Sequence, residues 1–132
     1  MIVDTSAVVA VLLGEPTAAR VRSALTDIEG EAPAMSASSY LELGIVVDRR
    51  GKPALSRKVE DLLVSLDLRV VPVDAEQAAV ARQAYRDYGK GSGHPAGLNF
   101  GDCFSYALAS VRREPLLFVG DDLTHTDVRS VL

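Results

Sequence analysis

Four acidic side chains stand where the chain leaves a predicted strand or enters a predicted helix: Asp4, Glu42, Asp102 and Asp121. Asp4 ends the apolar run that opens the chain, and Asp121 comes directly after the run 116–119 and a glycine. If these runs are neighbouring parallel strands, both carboxylates lie at the carboxyl edge of one sheet, where open α/β sheets bind ligands. A cluster of carboxylate oxygens without His or Cys partners suits Mg²⁺ or Mn²⁺ better than zinc.

Bringing these acids together creates an electrostatic problem that a divalent cation would solve. Two carboxylates about 4 Å apart repel each other by about 4 kcal/mol at an effective dielectric constant of 20. A cluster of three or four therefore requires either protonation of some members or a bound cation. A water molecule held by such a cation has a lowered pKa and can attack a phosphodiester. This chemistry needs few residue types other than acids, and the chain has only two His and one Cys.

Each acid also has a structural explanation that involves no chemistry. Asp4 is a good helix N-cap, although Thr5 or Ser6 could cap the same helix. Glu42 follows Ser39 by three residues, which is the spacing of a capping box. Asp102 is expected in the first turn of a helix capped by Asn99, where a negative charge interacts favourably with the helix dipole, by about 0.3–1 kcal/mol.

The adjacent acids Asp121 and Asp122 are compatible with a solvated turn, and the sequence does not settle which of them faces a site. We favour Asp121, because it directly follows Gly120 at the end of the predicted strand.

Composition limits the classes of function. The chain has 132 residues, which is the size of one domain, and a formal net charge of −4, which argues against non-specific coating of nucleic acid. Its single cysteine, Cys103, allows no internal disulfide and is expected to be a buried core residue. No signal peptide and no apolar run of membrane-spanning length is evident, so we expect a cytoplasmic protein. Aromatic residues make up only 5% of the chain, and no base-stacking platform is evident.

The pattern of apolar residues predicts strands that alternate with helices, and hence a parallel sheet with helices on both faces. The second predicted helix opens at Pro16 and ends at Gly30, with Ile28 on its apolar face. The third starts at Ser38 or Ser39. A glycine-rich loop spans 89–97, and 131–132 are a candidate edge strand. The predicted strands are 2–4, 32–37, 69–73 and 116–119.

Several segments together resemble the PIN-domain ribonucleases, and in particular the VapC toxins of bacterial type II toxin–antitoxin systems. The segments are MIVDTSA at 1–7, Glu42 on the third helix, the loop GKGSGHPAG at 89–97, LNFGDCFSYA at 98–107 and LLFVGDD at 116–122. The resemblance spans residues 1–132 as one PIN domain. It implies a three-layer α/β/α sandwich with a small parallel central sheet.

The resemblance also implies a function and roles for residues. It implies cleavage of RNA that depends on Mg²⁺ or Mn²⁺, a homodimer, and a VapB-type antitoxin partner whose C-terminal tail blocks the site. Asp4 and Asp102 would be the principal metal ligands, and Glu42 and Asp121 would support a second shell or a second ion. The supporting residues would be Thr5, Ser6 and Asp122, and the candidates for RNA contact are Lys90 and His94.

Two other classes of function deserve comparison. A phosphatase of the haloacid dehalogenase type also begins with a strand and an Asp, but it typically carries a second Asp two positions on, where this chain has Ser6. The remaining alternative is a catalytically weak binding module whose acidic pocket anchors an Arg or Lys of a partner protein.

Overall fold

The computed structural model describes residues 1–26 and 31–132. In these residues a four-stranded sheet is surrounded by six helices, followed by a short 3₁₀ helix at Asp122–His125. The strands are β1 (Ile2–Val3), β2 (Ala34–Ser36), β3 (Arg69–Val71) and β4 (Leu116–Leu117). The helices are α1 (Thr5–Leu13), α2 (Ala18–Thr26), α3 (Ala37–Asp48), α4 (Pro53–Ser65), α5 (Ala75–Tyr88) and α6 (Phe100–Arg112).

All four strands are parallel and lie in the order β3-β2-β1-β4. Ile2 is aligned with Ala34 on one side and with Leu116 on the other. The two runs that precede Asp4 and Asp121 are therefore neighbours, as the sequence predicts. The chain leaves β1 toward β2 on one side and returns to β4 on the other, so the carboxyl ends of β1 and β4 flank the switch point of the sheet.

The strands are apolar at successive residues because both faces of the sheet are covered, as is usual for parallel sheets. Ile2, Ala34 and Leu116 pack into one core with α5 and α6. Their neighbours Val3, Met35 and Leu117 pack into a second core with α1, α2, α3 and α4. This arrangement is the three-layer α/β/α sandwich with a small parallel central sheet, and it confirms the predicted fold class.

Glycines and capping side chains in the sequence predict most helix ends correctly. Gly14 ends α1 in the left-handed conformation, with φ of 66°, and the side chain of Asp74 caps α5 by accepting from the backbone N–H of Gln77.

Several predicted boundaries differ. The strands predicted at 2–4, 32–37, 69–73 and 116–119 are one to three residues shorter in the structure. Helix α2 begins at Ala18 because Pro16 and Thr17 form a turn in which the Ala18 N–H donates to the Glu15 carbonyl. Helix α3 begins at Ala37, since Ser36 rather than Ser38 or Ser39 is its N-cap. At the C-terminus, only an isolated bridge from Ser130 to Leu116 pairs with the sheet. The predicted positions of Ile28 and Gly30 lie outside the described residues.

None of the helices in the described ranges is long and apolar enough to cross a membrane.

Candidate active site

Asp4 lies at the end of β1 with only 4% of its surface exposed. Of the three candidates Asp4, Thr5 and Ser6, Asp4 is the N-cap of α1. Its Oδ2 accepts from the backbone N–H of Ser6 at 2.9 Å and from the Ser6 hydroxyl at 2.6 Å. The other oxygen, Oδ1, accepts from the Ser105 hydroxyl at 2.5 Å. Asp4 therefore caps α1, and its carboxylate is at the same time held in a fixed orientation.

Ser6 also joins Asp4 to the neighbouring strand. Its hydroxyl oxygen accepts from the backbone N–H of Val119 at 3.0 Å, just beyond β4. The backbone N–H of Asp4 itself donates to the Leu117 carbonyl at 2.9 Å. Asp4 is thus held between the ends of β1 and β4, which is the position where doubly wound sheets bind their ligands.

Ser105 and Ser39 form a buried hydroxyl pair that sequence reasoning missed. Ser105 is fully buried on α6, and its hydroxyl lies 3.0 Å from that of Ser39 on α3. The available signal was a serine three residues after Asp102, inside an otherwise apolar helix face. Buried hydroxyls need partners, and this pair connects α3, α6 and the carboxylate of Asp4.

Glu42 is oriented by Thr5 and not by a capping box. The Thr5 hydroxyl donates to Oε2 of Glu42 at 2.8 Å and lies 3.1 Å from the Ser39 carbonyl. The predicted Ser39–Glu42 capping box is wrong, because the N-cap of α3 is Ser36, three residues earlier, and the Ser39 hydroxyl bonds Ser105 instead. The structural explanation for an acid at position 42 is thereby removed.

Gly101 provides the space that the Glu42 carboxylate occupies. A Cβ atom built on Gly101 would lie 2.6 Å from Oε1 of Glu42 and 2.9 Å from its Cδ. A side chain at position 101 would therefore displace this carboxylate. Gly101 is a second residue that sequence reasoning missed.

Asp102 is the third residue of α6 and forms a complete capping box with Asn99. Its Oδ2 accepts from the Asn99 N–H at 2.8 Å, while Oδ1 accepts no hydrogen bond from the described residues. The pKa of Asp102 is raised to about 6, chiefly by burial and further by the charges of Asp4, Asp122 and Glu42. The hydrogen bond from the Asn99 backbone acts in the opposite direction and lowers this pKa. Asp102 thus experiences the electrostatic field of acids from three other parts of the chain.

The adjacent acids Asp121 and Asp122 are both exposed. Asp121 precedes the 3₁₀ helix, and its carbonyl accepts from the Thr124 N–H. Asp122 is the member of the pair whose charge raises the pKa of Asp102. This electrostatic effect favours Asp122, whereas the sequence favours Asp121, and which of the two belongs to the site stays a prediction.

Lys90 and His94 lie in the loop 89–97, and no contact in the described residues joins either of them to the acids. Lys90 is exposed and pairs with Leu98 through its backbone. His94 packs its ring edge-on against Tyr88, with ring centroids 5.0 Å apart, and its Nδ1 accepts from the Ala96 N–H at 3.2 Å. His94 thus has a structural role in shaping the loop.

If the site cleaves RNA as the resemblance of the sequence implies, replacing His94 by Ala should leave measurable cleavage, because its Nδ1 is engaged by the loop and a metal-activated water would not require a histidine base. The lost hydrogen bond should cost about 0.5–1.5 kcal/mol of stability. Cleavage rates and thermal unfolding of both proteins would measure the two effects. Complete loss of cleavage by a folded variant would contradict this assignment.

Cys103 is buried, and burial raises the pKa of its thiol to about 11, with a further contribution from the charge of Asp102. It is a structural residue, as the sequence predicts, since a nucleophilic cysteine requires a lowered pKa.

The donor set of this site fits a hard divalent cation. All its acids offer oxygen, and Asp102 presents an oxygen that no described residue engages. In the described residues, no three Asp, Glu, His or Cys side chains already converge to coordinating distance. Mg²⁺ does not require such a cage, because it usually keeps several waters and binds one or two carboxylates.

Without metal, the raised pKa of Asp102 should make the protein less stable as pH rises. Because its pKa is higher in the folded chain, about 6 against an ordinary 3.8, the folded state binds this proton more tightly than the unfolded state does. The stabilisation is complete below about pH 4 and is lost as pH rises through about 6.

Urea unfolding in EDTA across this pH range, for the wild type and for Asp102→Asn, would measure the difference. The wild type should lose stability relative to the variant as pH increases. Parallel profiles would contradict the raised pKa.

Comparison with known proteins identifies the family of the chain. The PIN domain family matches residues 1–129. The chain therefore belongs to the PIN-domain family.

One curated relative and two solved structures are similar to most of the chain. Ribonuclease VapC42 of Mycobacterium tuberculosis is 56% identical over 129 residues, which cover 98% of this chain and 97% of the relative. The crystal structure of VapC20 from the same species, described as a toxin that cleaves the sarcin–ricin loop, superposes with a TM-score of 0.74 over 98% of this chain and 97% of that one, at 17% identity. A toxin–antitoxin complex from Klebsiella pneumoniae has a TM-score of 0.67 at 15% identity, covering 92% and 88% of the two chains. The last two similarities concern the fold.

Proposed function

We propose that this protein is an endoribonuclease that acts as the toxin of a type II toxin–antitoxin pair. The single observation that carries the proposal is the acidic site at the switch point of the sheet, where Asp4, Glu42 and Asp122 all act on the pKa of Asp102. The high identity to ribonucleases named VapC supports RNA as the substrate.

Mg²⁺ is the proposed cofactor, with Mn²⁺ as an alternative. Asp4 and Asp102 would hold the ion, and Glu42 with Asp121 or Asp122 would hold its waters or a second ion. The bound cation would polarise a phosphoryl oxygen and lower the pKa of a water molecule. Thr5, Ser6 and Ser105 orient the acids through the hydrogen bonds described above, as the supporting residues of a metal site do.

We further propose a cytoplasmic homodimer that is inhibited by a VapB-type antitoxin. The structural similarity to a toxin–antitoxin complex supports a partner of this kind. An Arg or Lys from the partner would pair well with the carboxylates and would compete with the cation.

The proposal is tested by incubating the purified chain with total cellular RNA in Mg²⁺, in Mn²⁺ and in EDTA. Fragments that form only with a divalent cation would support it, and mapping their ends would identify the cleavage site. A folded chain that cuts nothing with either metal would support the alternative, a binding module whose acidic pocket anchors a basic side chain of a partner.

A further inference from the structure

The chain that follows β4 carries two of the candidate site acids on a segment outside the sheet. Residues 121–128 leave the carboxyl end of β4 and return to its amino end, where the N–H of Leu116 donates to the Arg129 carbonyl at 2.9 Å. We call residues 121–128 the return segment. Asp121 and Asp122 open it, so their position relative to the rest of the site depends on how the return segment is held.

Hydrogen bonds within the return segment connect its two ends. The N–H of Thr124 donates to the Asp121 carbonyl at 3.1 Å, and the N–H of Thr126 donates to the Leu123 carbonyl at 3.2 Å. The Thr126 hydroxyl donates to the same Leu123 carbonyl at 2.7 Å and accepts from the Val128 N–H at 3.4 Å. A contact near the end of the segment can therefore fix the acids at its beginning.

A hydrogen bond fastens the return segment to α6. The Tyr106 hydroxyl donates to Oδ1 of Asp127 at 2.6 Å, which is within the range of short hydrogen bonds to a carboxylate. Tyr106 is only 8% exposed, and burial, followed by the hydrogen bond to Asp127, raises the pKa of its hydroxyl, which therefore remains a donor. Its ring packs against that of Tyr88, with centroids 5.7 Å apart. The buried Tyr106 can thus hold the more exposed Asp127 in place.

The same face of α6 carries Tyr106 and a proposed metal ligand. Tyr106 lies four residues, about one turn, beyond Asp102. The charge of Asp122 acts on Asp102, so the return segment interacts with α6 at its acidic end as well as at Asp127. A shift of the return segment relative to α6 would therefore change the distances among these acids.

We infer that the Tyr106–Asp127 hydrogen bond positions the acids of the return segment against Asp102. Tyr106 and Asp127 are positioning residues, which act through Asp121 or Asp122 and touch neither the cation nor the substrate. Residues of this kind commonly support the ligands of a metal site. This inference rests on the proposed function and adds two residues to the support of its metal site.

Calorimetric titration with Mn²⁺, at a temperature where every variant is folded, tests the inference. Tyr106→Phe removes the donor and Asp127→Ala the acceptor, and each should weaken Mn²⁺ binding by about 10- to 100-fold, the range for supporting residues. Asp127→Asn keeps an oxygen that accepts from the Tyr106 hydroxyl, so it should retain most of the affinity. In the variant that combines Tyr106→Phe with Asp127→Ala, the second change should add little, because both remove the same interaction.

Hydrogen exchange in EDTA provides a second readout that needs no metal. The amide of Thr124 is bonded within the return segment, and it should exchange faster in Tyr106→Phe than in the wild type. Tyr85→Phe is the matched control, because it also removes a tyrosine hydroxyl, one that donates to the Lys90 carbonyl at 3.3 Å. It should change neither the exchange of Thr124 nor the affinity for Mn²⁺.

Equal Mn²⁺ affinity of Tyr106→Phe and the wild type would overturn the inference, even if the variant unfolds at a lower temperature, because the hydrogen bond would then serve stability alone. Unchanged exchange at Thr124 would also overturn it, since the return segment would not depend on this bond. Failure of the proposed function is distinguishable, because the wild type itself would then neither bind Mn²⁺ nor cut RNA.

Discussion

Asp4→Asn is expected to reduce RNA cleavage by more than ~100-fold while leaving the fold intact. Loss of a residue that merely orients a metal ligand typically costs 10–100-fold in metal affinity or activity, and Asp4 is proposed to be a ligand itself. An amide has one neutral oxygen in place of a shared negative charge, so it is a poor ligand for Mg²⁺. Cleavage of total RNA by the two proteins would measure the effect.

The hydrogen bonds of Asp4 explain why the fold should survive. The amide oxygen of Asn can accept from the backbone N–H of Ser6, as Oδ2 of Asp4 does at 2.9 Å. The amide nitrogen would then face Ser105, whose hydroxyl can turn to accept this bond and donate to Ser39, 3.0 Å away. Every buried polar atom keeps a partner after this rearrangement.

Two controls separate chemistry from folding. Circular dichroism should give the same spectrum for the wild type and Asp4→Asn, and Mg²⁺ should raise the unfolding temperature of the wild type more than that of the variant. A variant that is unfolded, or that cuts RNA at the rate of the wild type, would show that Asp4 is a structural residue.

The sequence predicts the sheet and the position of Asp4 well because both follow from local pattern. Apolar runs closed by a polar residue mark buried parallel strands, and the alternation of Ile2 and Val3 between two cores is a direct consequence of strand geometry. The neighbouring positions of β1 and β4 then place Asp4 at the carboxyl edge with no further information.

The contacts that orient the acids could not be predicted in the same way. The Thr5–Glu42 and Ser105–Asp4 hydrogen bonds join residues 37 and 101 positions apart. The spacing of Ser39 and Glu42 gave a wrong prediction of a capping box, because Ser36 caps the helix. The Ser39 hydroxyl is therefore available to form a hydrogen bond with Ser105. The choice between Asp121 and Asp122 depends on how the chain turns after Gly120, where φ is 116°, and no local propensity specifies that turn.

Gly101→Ala is expected to weaken metal binding and RNA cleavage by about 10–100-fold, the range for changes that disturb the support of a metal site. The added methyl group would lie 2.6 Å from Oε1 of Glu42, so the carboxylate must move away. Such a movement breaks the 2.8 Å hydrogen bond from Thr5 that now fixes it. Stability should change little, because the displaced atoms are the end of a flexible side chain. Calorimetric titration with Mn²⁺ and cleavage assays would measure the two losses.

Two further variants test whether Gly101→Ala acts by displacing the Glu42 carboxylate. Gly44→Ala is the matched control, because Gly44 also lies in a helix but a Cβ there meets no atom within 4 Å; it should stabilise the protein by about 0.5–1 kcal/mol and keep full activity. In a Glu42→Ala background the steric conflict disappears, so Gly101→Ala should cause no additional loss of metal affinity. Additive losses in the double variant would mean that the methyl group acts on some other part of the site. The glycine between Phe100 and Asp102 would then serve another purpose than accommodating Glu42.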